Sequence, residues 1–391
     1  MEVGIIWVVI YLEFKWKNLF KKEVAPQDTT SKELNQYYDR TAIDETGASY
    51  RMIIGQRSNG KTFSVLKTIL ENYINKGQRA AYIRRYQEEI QPKNIQLLFD
   101  QPALRDLITE LSGGNYNGTF YRANCFYLVY YDEEGKIRSK DTVPFCITRA
   151  VNTWQTTKGQ DAGALHLICF DEFMTRDGYL RDEFISFCNL LSSLVRDRDD
   201  VVIYMLANTV NKYCPYFTEM GLGDVSKIPQ GELRVYNFGQ SELRVAVEYC
   251  DPVKATQKVA NKLFAFDNPQ LEMVKNGKWE IKNYARCPYS ITDDMVLRDF
   301  YVLFNDQMIK GVIIKNKTDL FLFFHRQTKD VDIDNLTVFY SNDFSSSMCH
   351  VRYLQDCPTA VHKLICDLVK KNSMCFADNE VGEVIRNWLI D

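Results

Sequence analysis

The 391-residue sequence predicts an α/β fold: a phosphate-loop domain with a mostly parallel sheet, a linker, and a smaller α+β domain. Three observations predict it. Segments of strand length alternate with helical segments between about residues 50 and 208, which is typical of a parallel sheet. A glycine-rich motif lies between the first strand and the first helix. Beyond residue 289, strand-like segments follow one another closely.

The elements of the first domain follow from the apolar pattern. Met52–Ile54 is a short apolar strand, and Thr62–Tyr73 carries apolar residues at helical spacing. Leu165–Phe170 is continuously apolar, as expected for a strand covered on both faces. The other predicted elements are a strand at Ala80–Ile83, a helical stretch from Pro92 to Leu111, a hairpin between Cys125 and Ile147, a helix at Leu180–Leu194 and a strand at Val201–Leu206.

The pattern changes after Tyr216, where glycine and proline residues interrupt it. A helix-prone stretch from Glu242 to Phe266 then indicates a linker. Three further strands and a helix are expected at Tyr301–Phe304, Val312–Ile314, Leu320–Phe324 and Ala360–Lys371. We therefore expect a phosphate-loop domain at 1–232, with an arm of unclear role at 1–30, a linker or hinge at 233–283, and a C-terminal domain at 284–391.

Composition limits the class of protein. With 48 Lys+Arg against 51 Asp+Glu the net charge is -3, so a nucleic-acid partner has to be met by local basic patches. The eleven cysteines include no C-x-x-C pair, which favours a reduced, cytosolic compartment. Val3–Leu12 is apolar, but it has about half of the ~20 residues that a spanning helix needs. We expect a buried strand or packing arm there and no membrane partner; a membrane anchor is the alternative.

The glycine-rich motif predicts a nucleotide site. Residues 55–62 match G-x-x-x-x-G-K-[ST] in full, after a strand and before a helix. In such a loop the backbone N–H groups surround the β-phosphate, Lys61 reaches the β/γ oxygens, and Thr62 holds Mg²⁺. The alternative is a chance glycine-rich turn. The loop residues expected to bind the nucleotide are Gly55, Ser58, Asn59, Gly60, Lys61 and Thr62.

A second acidic motif follows the buried strand Leu165–Phe170. Asp171 is expected to bind Mg²⁺ through water, and Glu172 to polarise the attacking water. Such an adjacent acid marks the ATPases that carry an added strand between the two motifs, called ASCE ATPases, and it is absent from small GTPases. ATP and Mg²⁺ are therefore the predicted ligands. The alternative is that both acids only cap the strand.

Four further residues have two interpretations each. Asn208, at the end of a buried strand, positions the water or senses the γ-phosphate, or is a turn residue. Arg196, at a helix C-terminus, suits the helix dipole, or is an arginine finger that reaches the ATP of a neighbouring subunit. Arg84 and Arg85 contact phosphate of nucleotide or DNA, or are surface charges.

Taken in order, these motifs resemble a known family. The segments are residues 55–62, 81–86 (AYIRRY), 152–158 (NTWQTTK), 167–173 (LICFDEF), 194–198 (LVRDR) and 206–217 (LANTVNKYCPYF). They resemble the DNA-packaging ATPases of Picovirinae-type short-tailed phages with protein-primed genomes, compact relatives of terminase large subunits. The resemblance covers residues 50–217.

The resemblance implies a homo-oligomeric ring, expected to be a pentamer, on the portal of the procapsid. The ring would drive double-stranded DNA into the procapsid in the host cytoplasm. Whether a structural packaging RNA is a further partner stays open. It also implies that Arg57 is a phosphate-loop arginine, that Glu172 is catalytic, and that Arg196 and Lys158 act in trans. The C-terminal domain would have a ribonuclease-H-like shape, contact nucleic acid and lack a nuclease site.

The acidic residues of the C-terminal domain favour this non-cleaving interpretation. Two-metal nucleases hold their ions with carboxylates that project from strands, whereas Asp293 and Asp294 are adjacent and would point to opposite faces. Asp330, Asp332 and Asp334 occupy alternate positions and would share one face of a strand, so a metal site there is an alternative. Zinc is a further alternative, at Cys349, His350, Cys357, His362 and Cys366, although these lack short paired spacing.

Nucleic-acid contact in the C-terminal domain is expected at a patch of Lys310, Lys315 and Lys317. Two other functions stay open at the level of sequence. One is a terminase large subunit with an active nuclease. The other is a nucleotide-switched protein that binds nucleic acid or portal during assembly, although such a switch gains nothing from a positioned base at Glu172.

Overall fold

A computed structural model describes residues 37–157, 163–176, 178–266, 271–280, 282–304, 306–317, 319–332, 338–341, 350–352, 354 and 359–390. These residues form two compact units. The first comprises the described residues up to Phe266 together with Leu271–Trp279, and the second comprises those from Glu280 onward. The predicted arm at 1–30 lies outside the described residues.

The strands described in the first unit form one ten-stranded sheet. Its order is β3-β4-β6-β2-β7-β8-β1-β10-β9, with β5 paired to β4. The strands are β1 Tyr50–Gly55, β2 Arg79–Arg84, β3 Gly118–Arg122, β4 Cys125–Tyr131, β5 Ile137–Lys140, β6 Cys146–Ala150, β7 Leu165–Asp171, β8 Val202–Asn208, β9 Leu233–Asn237 and β10 Arg244–Tyr249. The neighbours from β6 to β10 in this order are all parallel.

The parallel core confirms the predicted fold class. β8 lies between β1, which leads into the phosphate loop, and β7, which ends in Asp171. This is the added strand that the adjacent acids of the sequence predict. Alternate residues of β1 enter different apolar clusters: Met52 and Ile54 belong to one, and Ile53 belongs to the other. The sheet is therefore covered on both faces, as a parallel sheet requires.

Helices cover these two faces. α2 contributes Val65, Leu66 and Ile69 to one apolar cluster, and α5 contributes Phe187 and Leu190 to the other. The α-helices of the first unit are α1 Thr41–Glu45, α2 Lys61–Lys76, α3 Pro92–Ile95, α4 Pro102–Leu111, α5 Glu183–Val195, α6 Pro215–Glu219, α7 Lys254–Leu263 and α8 Glu272–Asn276, with 3₁₀ turns at Gln87–Ile90, Val151–Thr157 and Val225–Lys227.

Three expectations about the elements are corrected. The stretch 242–266, expected to be helical, contains the strand β10, because Val245–Val247 pairs with the edge of β1 and is buried. The helical stretch after Pro92 is broken between Ile95 and Pro102, where Pro102 starts a new helix. The hairpin after Cys125 consists of β4 and β5, whereas β6 runs parallel to β2.

The predicted linker at 233–283 is largely part of the first unit. Its strands β9 and β10 complete the sheet beside β1, and its helix α7 packs against α8. The pairing of β10 with β1 buries apolar residues that a solvated linker would leave exposed.

The second unit contains a six-stranded sheet with the order β15-β14-β11-β12-β13-β16. Strands β11 to β13 are antiparallel, and β14 and β15 are added parallel beside β11. This arrangement fits the expected ribonuclease-H-like shape. The elements are β11 Val296–Phe304, β12 Gln307–Asn316, β13 Asp319–Arg326, β14 Phe339–Ser341, β15 His350–Val351, α9 Ala360–Lys370, β16 Met374–Phe376 and α10 Asn379–Ile390, with a 3₁₀ turn at Asp293–Met295.

Across the described residues, every helix is too short or too polar to cross a membrane.

Candidate nucleotide-binding and catalytic site

The predicted motifs meet at one edge of the first sheet. In the parallel register Gly55 lies beside Asn208, and Asp171 lies beside Leu206 of the same strand β8. Phe170, the residue before Asp171, is paired with Ile83 of β2. The carboxyl ends of β1, β8, β7 and β2 are therefore neighbours, which is the edge where open α/β sheets bind ligands.

The phosphate loop has the conformation that its glycines allow. Gly60 has φ of 101° and directly precedes α2, so the N-terminal N–H groups of that helix face the loop. A β-carbon at Gly55 would lie 2.9 Å from the β-carbon of Cys250, which leaves no room for a side chain there. The loop thus combines a helix N-terminus with close backbone packing, as phosphate binding requires.

Lys61 is buried at the centre of this loop. Its Nζ donates to the carbonyl oxygens of Gln56 at 2.7 Å and Gly55 at 3.2 Å, and to Asn59 Oδ1 at 3.0 Å. Burial lowers the pKa of Lys61 from 10.5 to about 8, because the charged amine loses hydration. The amine is held by neutral oxygens that a phosphate can replace.

Asn59 supplies an independent indication of a ligand. Its side chain is buried, and its Nδ2 has no hydrogen-bond partner in the part of the chain that the structure describes. A buried amide without an acceptor is costly. A phosphate oxygen in the loop would satisfy it, so the residues present fit a nucleotide.

Thr62 and Asp171 form the predicted magnesium pair. Thr62 Oγ1 lies 3.1 Å from Asp171 Oδ2, and the Tyr82 hydroxyl donates to the same oxygen at 2.7 Å. Burial raises the pKa of Asp171, an effect that the charge of Arg84 opposes. A divalent cation would favour the ionised carboxylate, so this oxygen-donor set fits Mg²⁺.

Glu172 follows Asp171 at the end of β7. Its φ is 59°, an uncommon conformation for a residue with a long side chain, and its carboxylate is about half exposed, at 48%. Arg84 Nη2 lies 2.6 Å from Glu172 Oε2 and also contacts Glu89 at 2.5 Å. Glu172 is therefore oriented by Arg84 at the mouth of the site.

Arg85 does not serve the expected phosphate contact. Its guanidinium is buried and paired with Glu183, with 2.9 Å between Nε and Oε2. It also donates to the backbone oxygens of Glu172, at 3.1 Å, and Phe173. The prediction that Arg85 contacts nucleic acid is corrected: the side chain is enclosed and neutralised, and it supports the backbone that carries Glu172.

Arg84 is likewise mostly enclosed, since its side chain is 17% exposed and lies between acidic groups. A surface charge and a DNA contact are both inconsistent with this position. Arg84 belongs to the edge that carries Asp171 and Glu172, where its Nη1 lies 3.9 Å from Asp171 Oδ2.

The remaining loop and strand residues line one open cleft of about 1060 Å³. Asn208 Oδ1 is 3.4 Å from Lys61 Nζ, so its amide faces the phosphate loop. Arg57 and Ser58 are exposed at the cleft. The cleft is also lined by Tyr37, Tyr38, Asp39, Arg40 and Thr41, which precede β1.

Arg196 lies far from this cleft in its own chain. It directly follows α5, is exposed, and precedes β8 by six residues. Asp200, four residues after Arg196, approaches His166 near the start of β7, at 3.8 Å. Arg196 is thus near the opposite edge of the sheet, about 20 Å away along seven-residue strands, and cannot act on the phosphate loop of its own chain. Lys158 lies outside the described residues.

Sequence reasoning missed Tyr82 and Glu183, which support the site. A signal for Tyr82 exists, because Tyr82 and Arg84 are two residues apart in β2 and share one face next to Asp171. Glu183 gives no comparable signal, since its partner Arg85 is 98 residues away.

In the second unit, the three expected lysines do not form one patch. Lys310 and Lys315 are five residues apart in β12 and point to opposite faces. Lys310 is 3.0 Å from Asp299, which compensates its charge. Lys315 and Lys317 are exposed. The prediction of one patch of three lysines is therefore wrong, and two exposed lysines remain near the end of β12.

The candidate metal ligands of the second unit are only partly described. Asp293 and Asp294 lie in a 3₁₀ turn rather than in a strand. Asp330 and Asp332 lie outside the helices and strands, whereas Asp334, Cys349 and Cys357 are outside the described residues. Among the described residues, no three His, Cys, Asp or Glu side chains are placed to hold a metal ion.

Comparison with known proteins identifies the family of the chain. The family described as Podovirus DNA encapsidation protein (Gp16) matches residues 141–385, well over half of the chain. The DNA packaging protein of Bacillus phage B103 is 27% identical over 299 residues, which cover 67% of this chain and 84% of that protein.

Two solved structures share the fold. The Phi-28 gp11 DNA packaging motor has a TM-score of 0.51 at 16% identity and covers 91% of this chain and 98% of its own. The bacteriophage Phi-29 viral genome packaging motor assembly has a TM-score of 0.50 at 16% identity, with 90% and 97% covered. The resemblance expected from the ordered motifs is confirmed.

Proposed function

The chain belongs to the Podovirus DNA encapsidation protein (Gp16) family, and we propose that it is the ATP-hydrolysing subunit of a ring that drives double-stranded DNA into the procapsid. DNA packaging is the function that its relatives' names state. One observation above all supports hydrolysis as the energy source: Lys61, Thr62, Asp171 and Glu172 meet at one sheet edge, on either side of the added strand β8.

The residues divide the chemistry between them. The loop N–H groups and Lys61 would bind the β- and γ-phosphates. Thr62, and Asp171 through water, would hold Mg²⁺, which would neutralise charge on the transferred phosphoryl group. Glu172 accepts a proton from the attacking water as general base. Asn208, beside Lys61, orients the water or the γ-phosphate. Arg57 extends the cleft with a cation toward the phosphates.

The position of Arg196 supports a homo-oligomeric ring. In its own chain this arginine is at the opposite sheet edge, so an arginine finger at this position needs the site of a neighbouring subunit. Lys158 is proposed as a second cation that acts in trans. A pentamer docked on the portal in the host cytoplasm, with a packaging RNA as a further partner, completes the proposal.

The second unit is proposed to contact nucleic acid without cleaving it. Its 3₁₀ turn holds Asp293 and Asp294 in an arrangement unlike the strand-borne carboxylates of two-metal nucleases. Incubation with Mn²⁺ and supercoiled plasmid tests this, because nicking that disappears on Asp330→Ala or Asp332→Ala would establish an active terminase nuclease instead.

The decisive experiment is the ATPase rate measured with and without procapsids and double-stranded DNA. A translocating ATPase hydrolyses ATP and is stimulated when both are present. An assembly protein that uses ATP only as a switch would bind ATP and procapsids but show no sustained turnover, and this result would refute the proposed motor.

A further inference from the structure

We propose that the outer face of α7, formed by Lys254, Lys258 and Lys262, binds the phosphate backbone of the double-stranded DNA. This basic face is not among the nucleic-acid contacts that the sequence predicts. It rests on the double-stranded DNA substrate of the proposed function.

The three lysines lie on one stripe of the helix. Residues four apart advance by about 40° around a helix with 3.6 residues per turn, so Lys254, Lys258 and Lys262 occupy a sector of about 80°. Thr256 and Ala260 are buried, and their directions are on average about 180° from the centre of that sector. The lysine stripe therefore points directly away from the body of the first unit.

These lysines are available for a ligand. All three are exposed, and none forms an ion pair among the residues that the structure describes. The ten residues of α7, KATQKVANKL, include no acid, so the helix carries only positive charge on its side chains. Such a uniform stripe in a chain with net charge -3 is the kind of local basic patch that nucleic-acid binding requires.

The dimensions match a DNA strand. The stripe runs from Lys254 to Lys262, eight residue steps or about 12 Å along the helix axis. One strand of B-form DNA carries a phosphate about every 3.4 Å of its axis, so the stripe spans roughly three phosphates. Lysine acts as a point charge on a flexible stem, which suits contacts to a backbone rather than to bases.

The buried face of α7 connects the stripe to the nucleotide site. The Thr256 hydroxyl donates to Gln56 Oε1 at 2.6 Å, and Gln56 is the second residue of the phosphate loop. Gln56 Nε2 donates in turn to the Val274 oxygen of α8, also at 2.6 Å. The loop is thus hydrogen-bonded to the helix that carries the stripe, so Gln56 joins the nucleotide site to α7.

The test compares two variants of the full chain with equal loss of charge. One is the triple variant Lys254→Gln, Lys258→Gln and Lys262→Gln. The control is Lys76→Gln, Lys93→Gln and Lys227→Gln, which removes three exposed lysines from separate elements. Binding to a blunt 30-base-pair DNA duplex and to an RNA duplex of equal length is measured between 50 and 200 mM salt, with ATPase activity without DNA as the folding control.

Each phosphate contact contributes about 0.9 to the slope of log affinity against log salt, so three contribute about 2.7. Between 50 and 200 mM salt, the unmodified chain should therefore lose about 40-fold more DNA affinity than the α7 variant, while the control variant matches the unmodified chain. Basal ATPase activity should be unchanged in both.

Several results would overturn this assignment. They are an unchanged DNA slope in the α7 variant, an equal change in the control variant, or a loss confined to the RNA duplex. A loss of self-association with intact DNA binding would show instead that α7, which also carries the exposed Val259 and Leu263, contacts a protein. Absence of DNA binding by the unmodified chain would refute the proposed translocase function itself.

Discussion

The guanidinium of Arg84 lies 2.6 Å from the carboxylate of Glu172, and its other terminal nitrogen is 3.9 Å from Asp171. One cation on β2 therefore serves both acids at the end of β7. Arg84 orients Glu172, the proposed general base, and its charge opposes the rise in the pKa of Asp171 that burial causes.

Replacement of Arg84 should alter the pH dependence of magnesium-supported ATP binding. Without its charge the pKa of Asp171 rises further, so the carboxylate becomes protonated, and loses Mg²⁺, at a higher pH. Arg84→Ala should therefore lose Mg²⁺-dependent affinity earlier than the unmodified chain as pH falls, measured by titration with a fluorescent ATP analogue. Arg84→Lys keeps the charge, so its pH profile of Mg²⁺-dependent ATP affinity should shift much less. Identical pH profiles for all three proteins would contradict the role of Arg84.

Lys61 should impose a basic limit on activity. Burial lowers the pKa of its amine to about 8, and phosphate binding requires the protonated form. As pH rises through about 8, kcat/KM for ATP should fall, because this parameter reports the free enzyme. The contribution of Lys61 to folding stability changes in the opposite direction. Between about pH 8 and the ordinary pKa of 10.5 the unfolded chain binds more protons than the folded chain, so the free energy of unfolding rises with pH.

Lys61→Ala is the matching variant, and it should abolish turnover and weaken nucleotide binding. A pH profile that stays flat to pH 10 in the unmodified chain would argue against the titration of Lys61. Unchanged turnover in Lys61→Ala would remove the phosphate-loop assignment altogether.

Glu172→Gln should separate binding from hydrolysis. The amide keeps the size of the side chain but cannot accept a proton, so turnover should fall by about 10²–10⁴-fold while ATP and Mg²⁺ stay bound. Glu89 is a matched control because it also contacts Arg84 but precedes α3, whereas Glu172 directly follows β7. If Glu89→Gln lost as much activity, or Glu172→Gln lost binding, Glu172 would be a structural residue or metal ligand.

Arg196 tests whether the active site is shared between subunits. Arg196→Ala chains keep a whole phosphate loop and Glu172, whereas Glu172→Gln chains keep Arg196. Mixing the two inactive proteins should restore partial ATPase activity, since some interfaces then combine an intact Arg196 with an intact Glu172. If Arg196 only interacts with the helix dipole, Arg196→Ala should lower the free energy of unfolding by at most ~1 kcal/mol and leave turnover nearly normal.

The buried pair of Arg85 and Glu183 should matter for stability. Glu183→Ala leaves the guanidinium buried without its counter-ion and removes the acceptor of the Tyr216 hydroxyl, so the free energy of unfolding should fall by about 3–5 kcal/mol. Glu134→Ala breaks an exposed pair with Lys136 and should cost less than about 1 kcal/mol. Equal midpoints in urea for the two variants would contradict a structural role of the buried pair.

The sequence alone predicted the residues that meet at the candidate nucleotide site. The phosphate loop and the acids around the end of β7 are short continuous segments with a recognisable local pattern, so this pattern was sufficient to identify them. The alternation of strands and helices likewise predicted the parallel sheet, and the adjacent acids Asp171 and Glu172 predicted its added strand β8. The fold class and the family resemblance follow from these local features.

Only the tertiary structure decided how neighbouring residues are used. Arg84 and Arg85 are adjacent in sequence, yet strand alternation directs Arg84 to the acids of β7, and Arg85 is enclosed by Glu183, a partner 98 residues away. Residues 244–249 are a strand because they pair with β1, although their local sequence also suits a helix. The lysine stripe of α7 acquires its direction only because Thr256 and Ala260 are buried on the opposite face. In each case the local sequence permits more than one conformation or side-chain direction. A contact between residues far apart in the chain selects one of them, because the free energies of burial and strand pairing exceed local preferences.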